Sequence, residues 1–253
     1  MFSNPVIETQ KNHVTIRQFN EEPIETEMLE AILEAGRRAP TSSNMQAYSV
    51  IVIKDPLVKK RLSILTGDQK HVETCPVFLA FCADLNRLQQ TCEMHDVEMT
   101  NNLETFIIST VDAALVGMSV QTGAESFGLG AVMIGAMRNS PREVADLLGL
   151  PRGVYVVYGM CLGWPEKSSI PPQKPRLPKE LVIHHEKYST NDASDLIHNY
   201  DKLLVKHYEA LGRNLNPAAW SGVIARNLGR SIRPENLDLL GEMGFDICRK
   251  SEY

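Results

Sequence analysis

A long apolar run, from Leu103 to about Phe127, constrains this chain more than any other segment. It has no proline, one glycine (Gly117) before Gly123, and apolar residues on nearly every side of a helical projection. A helix of that kind in water has to be covered on all sides, because exposed apolar surface forfeits burial free energy. Either the centre of a single domain or a second subunit must do the covering. The run also carries Asp112, Gln121 and Glu125, which makes it a poor membrane span. The N-terminus from Met1 to His13 is polar and mixed in charge, unlike a signal peptide. We therefore expect no membrane association and a cytoplasmic protein.

Around this run the chain reads as alternating helices and short buried strands. Thr26 is placed to cap a helix from Glu27 to about Arg38, with Leu29, Ile32, Leu33 and Gly36 on one face. A turn over 39–44 leads to Tyr48–Lys54, short and β-branched, read as a buried strand. Pro56–Leu65 reads as a helix and Pro76–Ala83 as a second buried strand. Gly128 and Gly130 end the long helix. A strand over Ala131–Ala136, a helix over Pro141–Leu148 and a strand over Val154–Leu162 follow. From Pro165 to Pro178 the prolines impose an extended excursion, and from Asp192 the pattern is helical and amphipathic to the end. The alternation indicates an α/β or α+β core with a helical C-terminal extension.

Composition narrows the partners. With 253 residues the chain can bury a substantial core, and its net charge of −5 argues against nucleic acid or an acidic membrane surface. Its five cysteines form no CxxC pair, a pattern of reduced thiols in a cytosol. No GxGxxG, GxxxxGK[ST], GxSxG or HExxH occurs, which removes the common nucleotide and hydrolase signatures.

Two basic rows stand out against that acidic background. In an extended segment His13, Thr15 and Arg17 point to one side, aligning an imidazole, a hydroxyl and a guanidinium. Such donors suit a phosphate, although a polar strand edge facing water has the same pattern. Lys174 and Arg176 share a side in a proline-stiffened stretch about 160 residues later, where a solvated loop is the simpler alternative. Together the two rows have the chemistry of a site for a dianionic ligand. Hydroxyls and amides gather at Thr41, Ser42, Asn44 and Gln46, Gln69 lies in a further turn, and small residues from Gly128 to Ala136 permit close approach of backbone to a flat ring.

The pieces HVTIRQF, APTSSNMQ, TGDQKHV, GLGAVMIGAMRN, CLGWP and KPRLP, in this order from residue 13 to about 180, resemble the nitroreductase family of flavoproteins. The likeness is strongest to its oxygen-insensitive NADPH nitroreductase and flavin reductase branch. Trp220-Ser221 and Arg233-Pro234 in the helical tail agree with that branch. Each motif is weak alone; six in order are specific.

The resemblance implies an α+β fold with a mainly antiparallel central sheet flanked by helices, in an interlocked homodimer that binds one FMN at each interface. It implies a single domain, with residues 1–164 as core, 165–190 as an excursion carrying phosphate contacts, and 191–253 as helical extension. His13, Thr15, Arg17, Lys174 and Arg176 match phosphate and ribityl contacts, and Gln69 an isoalloxazine contact. Met133, Ile134, Gly135 and Ala136 match backbone around the ring, while Thr41, Ser42, Asn44 and Gln46 match the segment given to the partner subunit's flavin. Arg138 lies where the branch keeps a basic residue near the entrance, a place that suits contact with a nicotinamide phosphate. The implied activity is two-electron, ping-pong transfer from NADPH (or NADH) to nitroaromatics, quinones, azo compounds or free flavin, with no catalytic side chain named. A reductase that releases reduced FMN to a partner enzyme, and a flavin-binding sensor or carrier without turnover, are the alternatives. One departure stands out: Ala47 follows the APTSSNMQ block where many members have proline.

Other polar clusters carry less. Cys92, His95 and Glu98 have a spacing near that of metal ligands on one helical face, but a solvated face is the simpler reading, and no metal is expected. His184, His185 and Glu186 read as surface, and Arg226, Arg230 and Arg233 as charge-pairing residues, one of which a nicotinamide 2′-phosphate would recruit.

Overall fold

The computed structural model describes residues 2–248, and it divides into two compact units. The first runs through Pro171 and resumes at Glu235; the second is Pro172–Pro234. In the first unit, helices α1 (Pro5–Lys11) and α2 (Thr26–Arg37) precede strand β1 (Tyr48–Ile53). Helices α3 (Pro56–Leu65) and α4 (Lys70–Thr74), strand β2 (Val77–Asp84) and helix α5 (Asn86–Glu93) follow. The long helix α6 (Leu103–Ser126) leads to β3 (Gly130–Ile134), α7 (Pro141–Leu148) and β4 (Val154–Gly163). The second unit holds α8 (Ser194–Glu209) and α9 (Ser221–Leu228), and α10 (Asn236–Glu242) returns to the first.

The four strands form one antiparallel sheet in the order β1-β2-β4-β3. The expectation of an α+β core with helices on both faces holds. Strand β2 is apolar throughout because it is central and buried on both faces. Leu79 and Phe81 face a cluster with Ile32, Val116 and Val120 on α2 and α6, while Phe78, Ala80 and Cys82 face Leu62, Val72 and Val144 on α3, α4 and α7. The tail contributes to the first unit as well: Leu240 and Phe245 pack with Leu85 and Tyr155.

Several boundaries differ from the sequence expectation. Strand β1 is an edge strand and mostly half-buried, with Val52 exposed, so it is not the buried strand its β-branched run indicates. Thr26 does not cap α2; it is the first helical residue, and Glu25 before it makes no side-chain capping bond. The strand expected through Ala136 stops at Ile134, and Gly135–Asn139 turns into a 3-10 helix. The helical tail is interrupted between α8, α9 and α10. Helix α5 stops at Glu93, and Asp96 has φ +55°, so Cys92, His95 and Glu98 share no helical face. Among the described residues no three metal-ligating side chains gather.

Helix α6 starts on a capping box formed by Asn102 and Thr105 and ends at Ser126, with Phe127 as its C-cap and Gly128 after it at φ +87°. One side of it, including Asp112, Ala113, Val116, Gly117, Val120, Gln121 and Ala124, is buried within the chain. Tyr158 on β4 donates its hydroxyl to Ala113 O at 3.0 Å, and Gly117 leaves room for that ring. The opposite side is open: Leu103, Ile107, Val111, Leu115 and Met118 are exposed. By length and composition α6 passes as a membrane span, which corrects the reading of it as a poor one; its buried Asp112 and Gln121 bond elsewhere in this chain, to Ser42 N and Ala47 N and to Glu125. Complete burial by this chain alone, the first of the two expectations, does not occur. Covering the exposed part of each of these side chains would contribute about 1 kcal/mol apiece.

Candidate functional site

The first basic row lies beside β3. Thr15 forms a parallel bridge with Ala131, and Ile16 N donates to Ala131 O at 3.0 Å. Ile16 is buried between the two polar neighbours, so His13, Thr15 and Arg17 alternate with it as the extended reading requires. The strands meet closely because Gly130 has no side chain: a Cβ there would lie 2.5 Å from Ile16 Cγ1. The bridge brings the row next to the 130–136 segment, two motifs about 115 residues apart in the chain. Met133 points outward and is 43% exposed, while Ile134 is buried. The chain then turns into the 3-10 helix Gly135–Asn139, whose Met137 is buried against the sheet.

Arg17 also borders a cavity of about 930 Å³ lined by Lys54, Lys59, Lys70, His71 and Glu166 among others. The surroundings are strongly cationic. His71 is held below the ordinary histidine value, by burial first and by the charge of Arg17 second. Its Nε2 is buried without a hydrogen-bond partner, an arrangement that leaves a polar atom to be satisfied from the cavity. Lys59 is buried and donates to the carbonyls of Cys75 and Pro76, so its charge serves the backbone at the end of α4.

Behind His13 stands a polar pair from α6. His13 Nδ1 lies 2.6 Å from Glu125 Oε1, and Gln121 Nε2 donates to the same oxygen at 3.1 Å. The His13 and Glu125 side chains are 23% and 10% exposed, so solvent screens the pair little. Glu125 Oε2 is buried without a partner.

The block from Thr41 to Ala47 is a tight turn with unusual backbone. Ser43, Asn44 and Gln46 have φ of 46°, 57° and 51°, left-handed values that cost non-glycine residues on the order of 1 kcal/mol each. Asp112, buried on α6, holds this turn through backbone amides: Oδ1 accepts from Ser42 N at 3.1 Å and Oδ2 from Ala47 N at 3.0 Å. The side chains of Ser42, Asn44 and Gln46 remain exposed.

Two further expected residues are tied into their own surroundings. Gln69 precedes α4, and its side-chain amide donates to Thr66 O at 2.8 Å while its backbone carbonyl accepts from Ser63 Oγ. Arg138 is half-buried and its guanidinium bonds the carbonyl of Val157 on β4. In the second unit Lys174 and Arg176 are exposed, with Lys174 Nζ 5.6 Å from the Tyr208 ring centre and Tyr200 donating to Pro175 O. Asp112, Gln121, Glu125 and His71 are the residues that sequence reasoning did not assign to a site. The one signal for the first three was polarity inside an otherwise apolar helix.

Residues 11–164 match the Nitroreductase family and residues 174–248 its C-terminal domain. An oxygen-insensitive NADPH nitroreductase of Salmonella typhimurium is 40% identical over 242 residues, covering 96% of this chain and 98% of that protein. An FMN reductase [NAD(P)H] of Bacillus subtilis is 38% identical over 248 residues, covering 96% and 99%. Among solved structures, the NADPH:FMN oxidoreductase of Vibrio harveyi complexed with NAD+ superimposes with a TM-score of 0.86 at 34% identity, covering 95% of this chain and 98% of that one.

Proposed function

Because the chain belongs to the nitroreductase family, we propose that it works as a cytoplasmic homodimer with one FMN at each subunit interface, reducing nitroaromatics, quinones, azo compounds or free flavin. It is an FMN-dependent NAD(P)H oxidoreductase. The observation that supports the site assignment is the Thr15–Ala131 bridge, which sets the row of His13, Thr15 and Arg17 beside the 130–136 segment.

The residues present suit FMN. An orphaned His71 nitrogen, the Arg17 guanidinium and the cationic cavity wall match a phosphate dianion. Bound FMN supplies the hydride chemistry that protein side chains lack. His13, Thr15 and Arg17 would hold the phosphate and ribityl chain; Lys174 and Arg176, which the resemblance also matches to phosphate contacts, belong to the second unit. Gln69 and the backbone of residues 133–136 would orient the ring, with amides placed to stabilise charge that develops at its edge. Thr41, Ser42, Asn44 and Gln46 would reach the flavin of the partner subunit. Arg138 would answer the nicotinamide phosphate only after leaving its Val157 carbonyl. No acid or base side chain is required, since solvent supplies protons at an open site.

The open apolar stripe of α6 supports the dimer, because a second copy would cover Ile107, Val111, Leu115 and Met118. Five free cysteines suit a reducing compartment. The test is the visible spectrum of the purified protein, followed by anaerobic NADPH. Flavin absorption that bleaches is expected; a colourless protein that FMN cannot reconstitute would refute the reading.

A further inference from the structure

The turn between α2 and β1 owes its shape to one side chain outside it. Asp112 is 1% exposed, and both of its oxygens are committed to backbone N–H groups of that turn, at Ser42 and at Ala47. Those two amides bracket the three left-handed residues Ser43, Asn44 and Gln46. A backbone strained in this way persists only where its surroundings hold it, and a carboxylate clamping both ends does so. Because the clamp takes only backbone N–H groups, the side chains of Ser42, Asn44 and Gln46 stay exposed.

The position of the clamp matters too. Asp112 lies on α6 beside Val111 and one turn from Leu115, both on the open face of that helix. The turn is thereby anchored to the helix that bears the apolar surface a second copy would cover. We propose that Asp112 is a positioning residue for flavin binding: by fixing the Ser42 and Ala47 amides it presents Thr41, Ser42, Asn44 and Gln46 to the FMN of the partner subunit. This rests on the reading that residues 41–46 contact FMN in trans, and it adds the residue that makes them competent to do so. It also assigns a use to Ala47. A proline at this position would have no N–H for Asp112 and would disfavour the left-handed conformation of Gln46 before it.

The experiment compares full-length wild type, Asp112→Asn and Ala47→Pro, reading FMN affinity of the apoproteins by flavin fluorescence and their melting temperatures without FMN. Asp112→Asn turns one acceptor into a donor facing an N–H; Ala47→Pro removes one donor and leaves the core of α6 untouched. The expected result is FMN binding weaker by about tenfold or more in both variants, the scale of one lost hydrogen bond to a charged group. A purely structural Asp112 would lower the melting temperature and leave FMN affinity within about twofold of wild type, and that outcome overturns the proposal. If Asp112→Asn does not fold, Ala47→Pro decides by the same criterion. Wild-type protein that takes up no FMN would overturn the site reading and this proposal together. Wild type that binds FMN beside variants that bind it equally well overturns the proposal alone.

Discussion

His13 and Glu125 meet at 2.6 Å between Nδ1 and Oε1, joining the N-terminal row of donors to the C-terminal end of the central helix. A carboxylate on one ring nitrogen sets the orientation of the imidazole and directs the other nitrogen away from it. The helix thus reaches two segments of the proposed flavin site, His13 through Glu125 and the turn of residues 42–47 through Asp112.

Replacing Glu125 with Gln should loosen that orientation while preserving volume. Hydrogen bonds to charged groups contribute about 1.5–3 kcal/mol, so FMN affinity should fall by roughly tenfold or more. Riboflavin, which has no phosphate, should bind Glu125→Gln and wild type alike. Equal losses for both flavins would show that Glu125 does not act through the phosphate end.

Gly117 faces Tyr158 so closely that a Cβ would sit 1.8 Å from the hydroxyl. Gly117→Ala must displace a buried ring that is bonded to Ala113 O, and overpacking together with a lost hydrogen bond should cost about 2–4 kcal/mol. Calorimetric melting should register it. Adding Tyr158→Phe should recover part of the loss, since the closest clashing atom is then gone and Cζ at 2.8 Å is the tightest contact left; strict additivity of the two changes would refute the contact.

His71 should make stability depend on pH. Its value in the folded protein is below the ordinary 6.5, by burial first and Arg17 second. Below pH 6.5 the unfolded chain therefore takes up a proton that the folded protein resists, and stability falls as pH drops through that window toward the depressed value. Above 6.5 the group contributes no further slope. Denaturant titrations of apoprotein across this range should show a shallower slope for His71→Gln than for wild type. Identical slopes would remove His71 from the account.

The open stripe of α6 should be an interface. Leu115→Glu puts a charge on a surface that a second copy would cover, at the cost of an unpaired buried charge. Light scattering should then report a shift from dimer toward monomer, with FMN retention falling alongside. A variant that stays dimeric and keeps its flavin would place the interface elsewhere.

Much of the local structure was legible because its signals are local. Helix α3 begins where Asp55 caps two amides ahead of Pro56, and α7 runs from Pro141 to a left-handed Gly149; both match the expected spans. The family motifs were legible for a similar reason, since each is a short string whose order along the chain is itself informative. Strand burial was harder to judge. Tyr48–Ile53 and Val77–Asp84 look alike as sequences, yet one is an edge and the other the centre of the sheet.

The amino-acid sequence by itself determined the elements, the apolar helix and the family, because propensity, capping and motif order act over a few residues at a time. Only the tertiary structure decided which polar groups in that helix do something. A carboxylate among apolar residues reads as a liability until its partners are known, and those partners lie far along the chain: Ser42 and Ala47 for Asp112, His13 for Glu125. Such pairings depend on sheet order and helix rotation, which no short window of sequence contains.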